Sequence, residues 1–238
     1  MTNRSGNMRE TWNRIESWLK ANTPWTYERL APPITEVQLA EAEAVLGLRL
    51  PAEFKASYRI HNGMIPHHIW MRYRGAFYEG RSSNFLYNAE DFHSLEQVVR
   101  RWQDMKDATL PGTAGMLCEV VGPIKPEGRC RTMVPVAKGP NFSYYLDMDP
   151  APGGQVGQVI FYIYDEVRAV YIAPSYGSWL NVLAQMFDEG VYVYSARMGE
   201  VVSVKAAADE MEYDIRTPED QFEYNRLRAI QQRLEMAR

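Results

Sequence analysis

Cysteine is nearly missing from this chain. Cys118 and Cys130 are the only two and form no C-x-x-C pair, which excludes a disulfide framework and a four-cysteine metal site. That scarcity fits a reducing compartment. No apolar run approaches the roughly 20 residues that span a bilayer. The opening stretch MTNRSGNMRETWNRIESW has no apolar segment of the secretory type either. Neither sign of charge dominates: 26 basic residues face 30 acidic ones, a formal net charge of -4. A face built for nucleic acid or an anionic membrane would show as a basic excess, so both partners are disfavoured. The expectation is a cytoplasmic protein that binds neither nucleic acid nor membrane.

The usual signatures of catalysis are missing as well. There is no G-x-S-x-G elbow, no H-E-x-x-H and no Lys-Ser or Lys-Thr after a glycine loop. Cys118 lies in GMLCEVVG, which reads as a half-buried strand where cysteine is a small hydrophobe. Ser175 reads as a helix cap, not as a nucleophile. Four histidines, His61, His67, His68 and His93, lie close together in the sequence and could hold zinc. None is paired at i, i+4 on a strong helix, so an adventitious cluster is the plainer reading and a metal-dependent small-molecule enzyme the alternative. No catalytic residue, cofactor or metal ligand is expected, and the chain is not read as an enzyme.

What is present is a large core and clear element boundaries. Of 238 residues, 46% are hydrophobic, enough to bury a substantial interior. Trp12, Ile15 and Leu19 recur at helical spacing and predict a helix over 8–21. Thr35 with Gln38 forms a capping box, and Gly47 stands where a left-handed residue ends the helix over 36–46. Pro51 fits a first helical position, with Phe54 and Tyr58 on one face and Asn62-Gly63 as the stop. The segment 64–93 is aromatic and basic and could be strand or ordered loop. Ser94 and Gln97 form a second capping box, before the stripe Leu95, Val98, Trp102 and Met105.

After Pro111 the texture changes to short β-type runs between turn residues: RTMVPVAKG, SYYLDMD, GQVIFYIY and RAVYIAP, spaced like a meander. Ser175 then opens a helix closed by Gly190. VYVYSARMGEVVSV looks like a further hairpin, and Thr217, Pro218 and Asp220 open a long helix with acids first and arginines last. The pattern is α+β, a mainly antiparallel or mixed sheet flanked by helices. Residues 1–31 form an N-terminal helical extension, 32–190 the domain, and 191–238 a hairpin-helix extension packed on that same domain.

Three stretches could carry function. In LDMDPAPGGQVGQVI, Gly153 to Gly157 could cradle phosphate, but an apolar β-type run follows where a helix is needed. Asp147 and Asp149 could bind a divalent cation, yet prolines follow where a calcium loop continues with acids. A hairpin turn, its aspartates solvated or bonded to turn amides, is the plainer reading. Trp70 to Arg81 interleaves Trp70, Tyr73 and Tyr78 with arginines, as single-stranded nucleic-acid readers do and as a β-rich core does. DEMEYDIRTPEDQFE, with Asp209, Glu210, Glu212 and Asp214, is either a solvated helix entry or an acidic docking face for a basic partner.

Taken together, LGLRLPAEFKASYRIHNG (46–63), MVPVAKGPNFSYYLDMDPAPGGQVGQVI (133–160) and VYIAPSYGSWL (170–180) resemble the SUKH superfamily of immunity and cell-wall-regulator proteins. The pieces are Leu-Gly-x-x-Leu-Pro-x-x-Phe, an Asn-Gly turn, Leu-Asp-x-Asp-Pro, Gly-Gly-x-x-Gly-Gln-Val and a helix starting Ser-aromatic. The order and spacing match from about Pro32 to Gly190. Arg131-Thr132-Met133 stands where a tryptophan is frequent, and 191–238 has no counterpart. The resemblance implies one α+β domain without catalytic machinery. It implies a bacterial immunity protein that neutralises a cognate polymorphic or contact-delivered toxin by binding, with nuclease, deaminase and ribosyl-transferring enzymes as candidate toxins. The alternative it implies is a regulatory scaffold of the cell-wall-regulator type. Trp70, Tyr73, Tyr78, Asp147, Asp149, Asp209, Glu210, Glu212 and Asp214 are the candidate partner-binding residues.

Overall fold

Trp12, Ile15 and Leu19 are fully buried along one face of α1 (Met8–Asn22) in the computed structural model of the chain, and Asn7 caps the helix by accepting from the Arg9 amide. The structure describes residues 7–65, 68–73, 76–81, 85–86, 91–107, 119–126, 132–139, 141–195, 200–212 and 215–236, with backbone alone at 68–73, 76–81, 91 and 107. A short α2 (Pro24–Tyr27) leads to α3 (Glu36–Leu46), whose Thr35–Gln38 capping box is formed in both directions and whose end turns at Gly47 with φ 65°. Pro51 stands one residue ahead of α4 (Ala52–Tyr58), not inside it. Its φ of -57° suits a helix, but its ψ of 145° is extended.

The segment left open between strand and loop contains an antiparallel pair, β1 (His68–Tyr73) and β2 (Ala76–Arg81), followed by the two-residue β3 (Asp91–Phe92) and α5 (Leu95–Asp107). β4 (Glu119–Val121), β5 (Met133–Lys138), β6 (Phe142–Asp147), β7 (Gln158–Ile163) and β8 (Arg168–Ala173) come next, then α6 (Tyr176–Asp188). The main sheet has the order β3-β5-β6-β7-β8-β4. Its centre is the antiparallel meander that the turn residues predict, and β4 adds parallel to β8 at the edge, which makes the sheet mixed. A bulge between Pro135 and Ala137 falls where proline has no N–H to give the ladder.

One face of the sheet carries the main core. Val134, Val136, Leu146 and Val159 meet Trp12, Phe54, Tyr58, Tyr176 and Leu180 from α1, α4 and α6. Two of the buried polar atoms there are partnered across elements. Trp12 Nε1 donates to Ser57 Oγ at 2.9 Å, and the Tyr58 hydroxyl donates to the His93 carbonyl at 2.7 Å. The other face holds a smaller cluster of Ile124, Met133, Tyr145, Ile160 and Tyr162.

The C-terminal hairpin appears as β9 (Tyr192–Ser195) and β10 (Glu200–Ser203), followed by α7 (Val204–Glu212) and α8 (Pro218–Met236). The sequence reading did not anticipate α7. Val201, Val202 and Val204 extend a strand-like run, while the helix is set by Ala206 to Ala208 and by Ser203 Oγ accepting from the Ala206 amide. α7 and α8 pack around Val202, Val204, Ala207, Ala208 and Leu227, and Leu227 is the only buried residue of α8.

The Asn62-Gly63 pair does more than stop α4. Asn62 Oδ1 accepts from the Leu95 amide at 2.7 Å, so it helps cap α5 alongside Ser94 and Gln97. Gly63 has φ 66°, and a Cβ there would lie 2.3 Å from the His93 carbonyl oxygen. Gly47 has nearly the same φ, 65°, with nothing within 4 Å of a Cβ. Gly47→Ala is therefore expected to cost only the left-handed penalty, about 1 to 2 kcal/mol. Gly63→Ala adds a backbone collision and is expected to cost about 3 kcal/mol or more, both read from urea denaturation midpoints.

Candidate functional site

The turn between β6 and β7 is where sequence reasoning places possible chemistry, and its polar atoms are turned inward. Asp147, at the end of β6, is 2% exposed. Its carboxylate accepts from the Asp149 amide at 3.1 Å and from Gln158 Nε2 at 2.9 Å. The same Gln158 amide donates to the Pro123 carbonyl at 2.9 Å, and its Oε1 accepts from the Gln155 amide at 3.2 Å. The Gly154 and Gly157 amides donate to the Ala151 and Asp147 carbonyls. A phosphate cradle needs converging, uncommitted N–H groups, and these are already committed.

Gly153 and Gly157, at φ 93° and 84°, supply the dihedrals of the turn. A Cβ on Gly157 would meet Pro51 Cγ at 2.6 Å, so the loop lies directly against the start of α4. The two aspartates do not converge on an ion. Asp149 lies beyond the strand, exposed, and pairs with Lys125 at 2.6 Å. Burial pushes the Asp147 carboxyl above its ordinary range, against the bonds from the Asp149 amide and Gln158, which pull it down.

The other candidate residues are dispersed. Trp70, Tyr73 and Tyr78 lie on the β1–β2 pair, in register with Glu79, Ala76 and Met71, and their side chains lie outside the described part of the structure. Asp209, Glu210 and Glu212 belong to the last turns of α7, not to the entry of α8, and Asp214 lies outside the described residues. Carboxylates at a helix C-terminus oppose its dipole. Here cations offset them: Asp209 pairs with Lys205 and Arg228, and Glu212 with Arg228. The Lys205 hydrogen bond chiefly holds the Asp209 carboxyl below the usual range.

His61 stands between Trp12, edge-on at 4.8 Å, and the Glu16 carboxylate at 3.0 Å. His93 is fully buried, His68 lies on β1, and His67 lies outside the described residues. Among the described residues no three of His, Cys, Asp and Glu come together as metal ligands. Cys118 and Cys130 lie outside them. Ser175 caps α6 by accepting from the Ser178 amide at 3.2 Å, and the Glu53 carboxylate takes the Gly177 amide at 3.0 Å. That helix N-terminus already has its anion.

One open surface is apolar. A groove of about 290 Å³ runs between α6 and the sheet, lined by Tyr144, Phe161, Ile172, Trp179, Val182 and Met186, with Tyr192 of β9 at one end. Ile172 and Val182 are 40% and 46% exposed. Trp179 lies in it with its ring centroid 5.1 Å from that of Tyr144. Trp179 is itself only 9% exposed, so the surface a protein partner could bury here is chiefly Ile172 and Val182, backed by the tryptophan–tyrosine pair. Sequence reasoning missed this groove. Its only local signal is Val182, an apolar residue off the buried stripe of α6. Among the described residues no helix is long and apolar enough to cross a membrane.

Comparison with known proteins adds a family. The SMI1 / KNR4 family (SUKH-1) matches residues 33–182, a stretch that holds the whole main sheet. A relative described as the cell wall biosynthesis/cell cycle regulator smi1 of Schizosaccharomyces pombe is 26% identical over 199 residues, covering 77% of this chain. The chain spans 37% of that relative's length.

The Asp147 cluster sets a pH test. A carboxyl raised by burial favours the fold when protonated, so its contribution is full below the ordinary value of 3.8 and is lost as pH rises through the raised one. Asp147→Asn has no such titration and meets Gln158 Nε2 with one acceptor fewer. It is expected to be about 1 to 2 kcal/mol less stable than the parent chain. In urea titrations the gap should widen as pH falls from neutral toward 3.8.

Proposed function

The chain belongs to the SMI1/KNR4 (SUKH-1) family, and from that premise we propose that it is a non-catalytic binding protein that acts in the cytoplasm by engaging another protein. The first reading is an immunity protein that blocks a cognate toxin. The observation that carries it is the contrast at the sheet. The Asp147 carboxylate, where chemistry was expected, is engaged within the fold, whereas the aromatic groove beside α6 is left open. Burying Ile172, Val182 and the rim of Trp179 would supply an apolar centre, and a stable complex covers about 800 Å² per partner.

A second reading, a regulatory scaffold in cell-wall biology, is favoured by one observation: the fission-yeast relative carries that description. The two readings share a mechanism and differ in the partner, because a fold carries surfaces and not a fixed activity.

Co-expression with the product of the adjacent gene, where that product is a secreted toxin, is the test. A one-to-one complex and rescue of growth are expected. Full toxicity with no complex would remove the immunity reading, and altered sensitivity of the cell wall in a deletion strain would then support the regulatory one. Val182→Asp and Ile172→Asp, at half-exposed positions, are expected to weaken the complex by about tenfold or more, with melting temperatures within about 2 °C of the parent.

A further inference from the structure

β6 presents alternate residues to two different openings. Tyr144 lines the groove beside α6, while Ser143 and Tyr145 face the other side of the sheet and line a pocket against α5. The pocket has a volume of about 270 Å³, the room of roughly nine waters. Its wall carries a chain of hydroxyls. The Tyr164 hydroxyl lies 2.6 Å from Ser143 Oγ and 3.3 Å from the Tyr145 hydroxyl. Ser143 and Tyr145 are only 3% and 6% exposed, so most of this chain is sealed into the wall. Three hydroxyls carry three protons and their two mutual bonds use two, which makes the chain a net donor.

A cation joins it through an irregularity of the neighbouring strand. Lys138 pairs with Ser143 across the β5–β6 ladder, and Pro135 pairs with Tyr145. Pro135 and Lys138 are an odd number of residues apart, a step that would put them on opposite faces of a regular strand. The bulge between Pro135 and Ala137 absorbs the extra residue and brings Lys138 to the pocket side. There it is half-buried, and its side chain makes no hydrogen bond or ion pair with the described residues. Asp91 lies opposite it on β3, with its side chain outside the described part of the structure. Arg101 of α5 also lines the pocket and has a further contact of its own, so it adds positive charge to a wall whose deciding group is Lys138. Asp104, one turn along α5, is exposed, and water screens its charge.

A metal cation would be repelled by Lys138 and Arg101. An apolar ligand would strip water from the ammonium and the hydroxyls and return no bond. An oxyanion offers acceptors to both and takes charge-assisted bonds from Lys138. Met105 and Pro135, also in the lining, give an attached organic body an apolar surface.

We infer that this pocket binds a small organic oxyanion, a phosphate monoester or a carboxylate, at the Lys138 ammonium and the Ser143–Tyr164–Tyr145 hydroxyls. The site goes beyond the protein-binding reading and stands on the opposite face of the sheet from the groove.

The test is an NMR titration of the isotopically labelled full chain, in phosphate-free buffer, with phenyl phosphate, benzoate and phenol. It reads both the affinity and the residues whose amides move. At least one of the two anions is expected to bind about tenfold or more tightly than phenol, to move the amides around Lys138 and Ser143, and to weaken as salt rises. The tighter anion identifies the head group. Lys138→Gln is expected to weaken it about tenfold, and Tyr164→Phe about three- to fivefold. Arg100→Gln, which removes a charge from an exposed position of α5, should leave it within about twofold. Melting temperatures within about 2 °C of the parent show that the variants remain folded, and if Lys138→Gln does not, Tyr164→Phe carries the comparison. No saturable binding of either anion, phenol bound as tightly, or pocket variants that lose no more than Arg100→Gln would overturn the proposal.

Discussion

A carboxylate sealed from water must be met by donors or it will not stay ionised. Asp147 meets that constraint with the Asp149 amide and the Gln158 side chain, and much of the domain follows from how it does so. The two residues face each other across the β6–β7 ladder, so their bond pins the register at the closed end of the hairpin. Gln158 reaches on to the Pro123 carbonyl and draws the segment after β4 beneath the turn. With the turn fixed, Gly157 sits against Pro51, the residue just ahead of the helix that places Phe54 and Tyr58 in the core. One buried acid thereby ties together three stretches that are distant in sequence.

The parts of this fold that were legible in the sequence are those whose causes are local. Thr35 and Gln38, Ser94 and Gln97, and Ser175 carry helix starts within three residues of themselves, and the meander is written in alternating apolar runs between turn residues. α7 was not legible, because its strand-like valines precede the alanines that favour helix, and what decides is packing against β9 and β10. Nor was the parallel pairing of β4 with β8, which joins residues far apart in the chain. At the candidate site, the turn could be read from its glycines and prolines, but burial of Asp147 could not. The acidic run could be seen as charge, while the pairing of Asp209 and Glu212 depends on where Arg228 reaches.

The C-terminal unit encloses a cavity of its own, floored by Val193, Ala207, Met211 and Leu227. This cavity and the groove beside α6 differ in kind and meet at one strand, β9. The groove beside α6 is walled by side chains that also belong to the core, so its shape is as fixed as the core is. The cavity at the C-terminal unit is built on a hairpin and two helices with their own small cluster, and it can vary in shape and charge without disturbing the main sheet.

The modest burial of α8 has a further consequence. A nineteen-residue helix that places only Leu227 in the interior is held to the rest mainly by α7 and by the ion pairs of Arg228. Surface pairs of this kind contribute little once salt screens them. The helix therefore has less to lose by detaching than the elements of the main core, and it is expected to open as a unit of its own, below the free energy of global unfolding. A partner that closes over it would gain its grip partly by suppressing that opening, so that residence time, more than encounter rate, would register the fit.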